Sequence, residues 1–137
     1  MMRKIVTLLF AAFLTMAMAP WAHANEFTDL RAQLSAARES LVTMLVNKDK
    51  RGADHQKVVK DTADAVSASL AKIKAPAGKE AQFKELVENW NAFKKTREVE
   101  LVPAILAGKE DEAKKIAGGI QKERITKCQQ LVGELGG

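Results

Sequence analysis

Cysteine and histidine, the side chains that most often act as nucleophile, general base and metal ligand, are scarce in this 137-residue chain. Beyond residue 24 there is one cysteine, Cys128, and one histidine, His55. A nucleophile needs an activating base within hydrogen-bonding distance. The helical pattern described below places the two residues about 30 Å apart along the helix axes, at about 1.5 Å of rise per residue. We therefore expect no catalytic dyad and no enzyme activity.

Cofactor ligands are equally scarce. Di-iron helical bundles use a Glu-x-x-His motif, which the chain lacks, and c-type haem needs Cys-x-x-Cys-His, whereas Cys128 is followed by two glutamines and a leucine. Non-covalent haem would have only Met44 and His55 as axial ligands, and both flank the same turn. We expect neither a metal nor a haem cofactor.

Arg97 is the residue whose position most strongly suggests a role. It falls on an otherwise apolar helical seam, between Phe93 and Leu101. A buried arginine is costly unless its charge is answered. Two structural explanations are a buried pair with Asp61 or Asp64, and a side chain that extends out to solvent.

The alternative is that Arg97 binds an anionic ligand. Gly118 and Gly119 would then open space opposite the guanidinium, and Trp90 would lie one to two turns away on the same helix. Two further arginines, Arg31 and Arg38, recur at helical spacing on the first helical segment, beside its apolar seam. They form either a solvated face or a face that packs on a second subunit and offers its arginines to an acidic ligand.

Hydrophobic periodicity indicates the elements that carry these residues. Apolar side chains recur at intervals of three and four throughout, as in amphipathic helices, and no segment alternates as a strand does. The predicted helices span about residues 26–50, 55–74, 79–107 and 109–135. Pro103 should interrupt the third helix, and Gly118-Gly119 the fourth. Helices of this length joined by short turns predict an all-α, antiparallel up-down-up-down four-helix bundle over residues 25–137.

The N-terminus reads as a secretory signal peptide over residues 1–24. Arg3 and Lys4 precede an apolar run from Ile5 to Ala19, and an Ala-x-Ala site ends at Ala24, which predicts cleavage there and a periplasmic location. A retained N-terminal anchor is the alternative. Cleavage lowers the formal net charge from +5 to +3. This mild basicity, without a Lys/Arg run, argues against a nucleic-acid partner.

Several stretches resemble the four-helix-bundle sensor domain of methyl-accepting chemotaxis receptors. They are residues 90–97, with an aromatic-rich helix that carries an arginine, residues 101–109, the pair Glu112-Ala113, and the leucines of the first helix. The resemblance implies an extracytoplasmic sensor that dimerises through its first helix and binds amino acids or small organic acids. Arg31 and Arg38 are consistent with the first-helix arginines of such domains.

The sequence thus predicts an exported, sensor-like module that binds a small carboxylate through Arg97, Arg31, Arg38 and Trp90. Since it shows no second hydrophobic span and no signalling coiled coil, a separate membrane receptor would have to pass on any signal. The alternatives are a four-helix cytochrome-like electron-transfer protein and a protein-interaction or chaperone-like bundle.

Overall fold

The computed structural model describes residues 22–136, with side chains from residue 26 onward. This part of the chain is all-helical and contains no strand. The predicted signal peptide lies outside the described residues, apart from the three residues that begin the first helix, and its cleavage after Ala24 stays a prediction.

Four helices make up the described chain, and two of them are interrupted. The first is α1, and a 3₁₀ turn follows it; the second is α2. The third comprises α3, a π-helical turn and α4, and the fourth comprises α5 and α6. Their bounds are α1 Ala22–Val46, the 3₁₀ turn Lys48–Lys50, α2 Ala53–Lys72, α3 Glu80–Thr96, the π-helical turn Arg97–Leu101, α4 Val102–Leu106, α5 Glu110–Gly118 and α6 Ile120–Leu135.

Both interruptions lie where the sequence predicts them. Pro103 has no N–H to donate, and it is the second residue of α4, which directly follows the π-helical turn. At the end of that turn the Val102 N–H donates to the Arg97 carbonyl five residues back. Gly119 separates α5 from α6, and a Cβ at this position would lie 2.9 Å from the Lys115 carbonyl oxygen. A side chain at this position would force the backbone to shift.

The connection between α1 and α2 differs from the prediction. The sequence predicts a first helix that reaches about residue 50 and a second that begins at about residue 55. Instead α1 ends at Val46, and Gly52 is the N-cap of α2. The Asn47 side chain explains the early end, because it accepts a 3.0 Å hydrogen bond from the Asp49 N–H and starts the 3₁₀ turn.

The core follows the apolar periodicity of the sequence, and the clearest departure lies at the interruption of the fourth helix. Helix α1 packs on α2 and α6, and α3 packs on α6. All six apolar seam positions of α1 are buried: Phe27, Leu30, Leu34, Ala37, Leu41 and Met44. Ile120, however, is 47% exposed, and the buried residue is its neighbour Gln121, because the break at Gly119 shifts the helical phase.

The buried apolar side chains form two clusters. The larger includes Phe27, Trp90 and Leu131, and the smaller includes Met44 and Ile105. Among the described residues, no helix is long and apolar enough to cross a bilayer.

Candidate functional site

Arg97 is held by the backbone of two other helices. Its side chain is only 1% exposed. One guanidinium nitrogen, Nη1, donates to the Ala37 carbonyl of α1 at 3.1 Å, and Nη2 donates to the Val59 carbonyl of α2. The π-helical turn that begins at Arg97 is thereby tied to both α1 and α2.

Two hydroxyl groups complete this arrangement. Ser40 Oγ donates to the Ala37 carbonyl at 2.9 Å. The single hydroxyl proton of Thr62 faces two carbonyls of its own helix, with Oγ1 2.8 Å from the Val58 oxygen and 3.1 Å from the Val59 oxygen. The two hydroxyl oxygens are 3.0 Å apart. We call Arg97, Ser40 and Thr62 the polar layer. The Ala37 carbonyl therefore receives a second side-chain donor besides the arginine N–H.

The carboxylates that the sequence offered as partners of Arg97 are engaged elsewhere. Asp61 pairs with Lys57 on the same helix. Asp64 pairs with Lys60 at 3.0 Å and with Lys94 at 3.3 Å. These two lysines, Lys60 first, lower the pKa of the Asp64 carboxyl. Both structural explanations offered for Arg97 are wrong, since the guanidinium neither pairs with an aspartate nor reaches solvent.

Burial lowers the pKa of Arg97 to about 10, against the weaker opposing effect of the Glu98 and Asp64 charges. The group is therefore still a cation at neutral pH. Its position between three helical segments makes it a structural cation of the polar layer rather than an exposed binding group.

Trp90 and Arg31 also contact protein. The Trp90 ring is fully buried, and its Nε1–H donates to Ser67 Oγ at 3.0 Å. Arg31 lies over α6, with Nη2 at 3.5 Å from the Gln129 carbonyl. Neither residue lines either of two cavities that Arg38 lines, so these cavities do not bring the four predicted ligand-binding residues together.

Arg38 does line a groove, which runs between α1 and the junction of α5 with α6. The groove has a cavity volume of about 280 Å³. Its floor is apolar and comes from the first, third and fourth helices: Leu41, Leu45, Phe93, Leu101 and Ile125. Val42, Ala117 and Gly118 extend its apolar surface.

Three cations surround this groove: Arg38, Lys114 and Lys122. All three are exposed, and none forms an ion pair with any residue in the described part of the chain. No acidic side chain of residues 26–136 lines the groove. The groove therefore combines an apolar floor with unneutralised positive charge.

The glycine pair and a buried glutamine shape this groove. Gly118 lines it and leaves open space where a side chain would be. Beneath it, Gln121 Nε2 donates to the Phe93 carbonyl at 2.8 Å. Arg124 then links Gln121 Oε1 at 3.1 Å to Thr96 Oγ1 at 2.8 Å. These bonds hold the start of α6 against α3.

Lys114 and Lys122 were not among the ligand-binding residues predicted from the sequence. A signal was present, because they lie four residues before Gly118 and three after Gly119, so that both flank the interruption. Their relation to Arg38 depends on how α1 packs against the fourth helix, which the local sequence does not specify.

Of the two reactive side chains, His55 contacts a backbone carbonyl and Cys128 is buried. His55 Nε2 lies 2.7 Å from the Ser40 carbonyl. Cys128 is a free, buried thiol whose pKa burial raises to about 12. In the described part of the chain, no group of three His, Cys, Asp or Glu residues is placed to hold a metal ion.

Comparisons with protein families, with curated proteins and with solved structures find no match for this chain.

Proposed function

We propose that this protein is an exported helical module that binds a small organic anion, in the first place a carboxylate, in the groove between α1 and the α5–α6 junction. The observation that carries the proposal is the set of three unpaired cations, Arg38, Lys114 and Lys122, around a cavity that no described acidic side chain lines. Of the residues predicted to bind the ligand, Arg38 remains a ligand contact in this proposal, whereas Arg97 and Trp90 have structural roles.

Electrostatics favours an anion in this place. Charges within a Debye length, about 8 Å at physiological salt, act together on an approaching ion, and a cleft with low-dielectric walls concentrates their field. An arginine can bind a carboxylate through two parallel hydrogen bonds, while lysines supply point charge. A carboxylate at the rim would therefore be held by Arg38 and balanced by the two lysines.

An up-down-up-down arrangement of the helices is part of the proposal. It is supported by contacts at the two ends. Lys79, before α3, donates to the Glu134 carbonyl near the end of α6 at 2.7 Å. Lys48 and Arg51, after α1, lie 3.5 Å from the Glu110 carboxylate at the start of α5.

The sensor-like role and the dimer are likewise proposals, which rest on the likeness to chemoreceptor sensor domains. They are supported by the exposure of Val46 (69%) on α1. We propose a parallel homodimer through this helix, with a membrane receptor as the partner that transmits a signal. Sedimentation that finds only monomer at high micromolar concentration would exclude the dimer and leave the groove untouched.

Calorimetric titration with short carboxylates tests the binding site. We expect saturable binding, and a loss of at least about tenfold in affinity for Arg38→Gln, since a hydrogen bond to a charged group contributes about 1.5–3 kcal/mol. Arg31→Gln is the matched control, because it removes the same charge from the same helix outside the groove. Equal losses in both variants, or no binding by the wild-type protein, would refute the proposal.

A further inference from the structure

The floor of the groove is more apolar than the binding of a small, fully polar acid requires. Five of its side chains are Leu41, Leu45, Phe93, Leu101 and Ile125. Carbon surface of this kind contributes nothing to an ion such as acetate, whereas it favours a ligand with an apolar body. The charge, by contrast, lies at the rim, on Arg38, Lys114 and Lys122.

We infer that the ligand is an amphiphilic carboxylate, a free acid with an aliphatic chain of medium length, whose chain covers the apolar floor while its head group meets the three rim cations. This inference rests on the proposed function and narrows its ligand class. Ligand pockets of this type are mostly apolar, with a few polar groups that orient the ligand. The cavity of about 280 Å³ suits one such molecule.

The charge arrangement selects among apolar occupants. A neutral helix would leave the three cations without a negative partner, and a basic peptide would be repelled by them. Because the groove is open to solvent on one side, the head group of a bound carboxylate stays hydrated. A carboxylate supplies the missing negative charge at the rim. Because the rim cations have no described ion-pair partner, the head group breaks no existing ion pair when it binds.

The test is a chain-length series of straight-chain carboxylates, from acetate to decanoate, each titrated into the exported protein below its micelle concentration. We expect each added methylene that reaches the floor to tighten binding by about fourfold, the equivalent of about 0.8 kcal/mol per buried CH₂. Decylammonium, with the same chain and the opposite charge, is expected to bind at least tenfold more weakly than decanoate.

The outcomes separate the two proposals. Affinity that is independent of chain length, with acetate binding as well as decanoate, overturns the amphiphile inference and leaves the carboxylate site intact. No binding by any carboxylate overturns both. Equal binding of decanoate and decylammonium also overturns the inference, since the rim would then select no charge.

A pair of variants tests whether the aliphatic chain of the ligand lies in the groove. Val42 lines the groove and Val58, on α2, does not; both are exposed to a similar extent. We expect Val42→Asn to weaken decanoate binding by at least fourfold and to leave acetate unchanged, while Val58→Asn changes neither. Equal effects of the two variants would contradict the inference. So would binding to phosphatidylglycerol vesicles in the absence of any affinity for free decanoate, which would identify a membrane surface as the occupant.

Discussion

The guanidinium of Arg97 donates to the carbonyl oxygen of Ala37 across 3.1 Å, and no carboxylate of the described chain takes part in its binding. Backbone carbonyl dipoles of α1 and α2 stabilise the buried cation instead. The consequence is a polar layer between two apolar clusters, which fixes the π-helical turn of the third helix against both neighbours.

Replacing Arg97 by methionine tests this arrangement. The lowering of its pKa from 12.5 to about 10 means that burial disfavours the charged form by about 3 kcal/mol. Methionine removes that cost, and the Ala37 carbonyl keeps Ser40 as a side-chain donor. We expect Arg97→Met to unfold, in urea at pH 7, with a free energy equal to the wild type or up to about 3 kcal/mol higher.

Arg97→Lys is the control, because it keeps the charge and loses the fork that spans two carbonyls. It should be less stable than Arg97→Met. A loss of more than about 2 kcal/mol in Arg97→Met would show that the two hydrogen bonds outweigh the cost of burial.

The glycine pair at the α5–α6 junction provides a matched comparison. A Cβ at Gly119 would lie 2.9 Å from the Lys115 carbonyl oxygen, whereas a Cβ at Gly118 meets nothing within 4 Å. We expect Gly118→Ala to be neutral or to stabilise by up to about 1 kcal/mol. Gly119→Ala should destabilise by about 1–3 kcal/mol, in the range of overpacked sites. Chemical denaturation of both variants decides this, and equal effects would contradict the close approach.

The buried thiol of Cys128 makes the free energy of unfolding depend on pH in the alkaline range. Its pKa is raised from 9.0 to about 12 by burial, so the folded state holds the thiol proton more tightly than the unfolded state. The resulting stabilisation is complete below pH 9 and is lost as pH rises toward 12. Between pH 8 and 10.5 we expect the stability advantage of the wild type over Cys128→Ala to fall by about 2 kcal/mol.

Because both proteins share every other titrating group, the difference isolates the thiol. In the native protein at pH 8, the same burial should make Cys128 unreactive toward a disulfide reagent until the chain unfolds. Rapid modification under native conditions, or a constant difference in stability across this pH range, would argue against a buried thiol.

The processing of the N-terminus is checked by intact mass. We expect the exported protein to begin at Asn25, after cleavage at the Ala-x-Ala site. The purified protein should also be colourless, because its single mature histidine and Met44 flank one turn. A mass that includes residues 1–24 would point to a retained anchor, and a Soret band would restore the cytochrome alternative.

The helical elements followed from local physics, since the period of the apolar residues and the positions of Pro103 and Gly119 act within one or two turns. The end of α1 was missed because a single hydrogen bond, from the Asp49 N–H to the Asn47 side chain, competes with continuing the helix. The groove could not be read from sequence in the same way. Lys114 and Lys122 join Arg38 only through packing between residues more than 70 positions apart, and the carbonyl partners of Arg97 carry no side-chain signal at all.

The most direct test of the central claim is a two-dimensional ¹H–¹⁵N NMR titration of the protein with butanoate and then octanoate. Glycine amides are well suited as reporters, because Gly118 lines the groove and Gly119 is its neighbour in the chain, while Gly52 and Gly78 lie in turns elsewhere. We expect saturable shifts at Gly118 and Gly119 that are absent at Gly52 and Gly78. Saturable shifts confined to the turn glycines, or no saturable shift with either acid, would contradict the central claim.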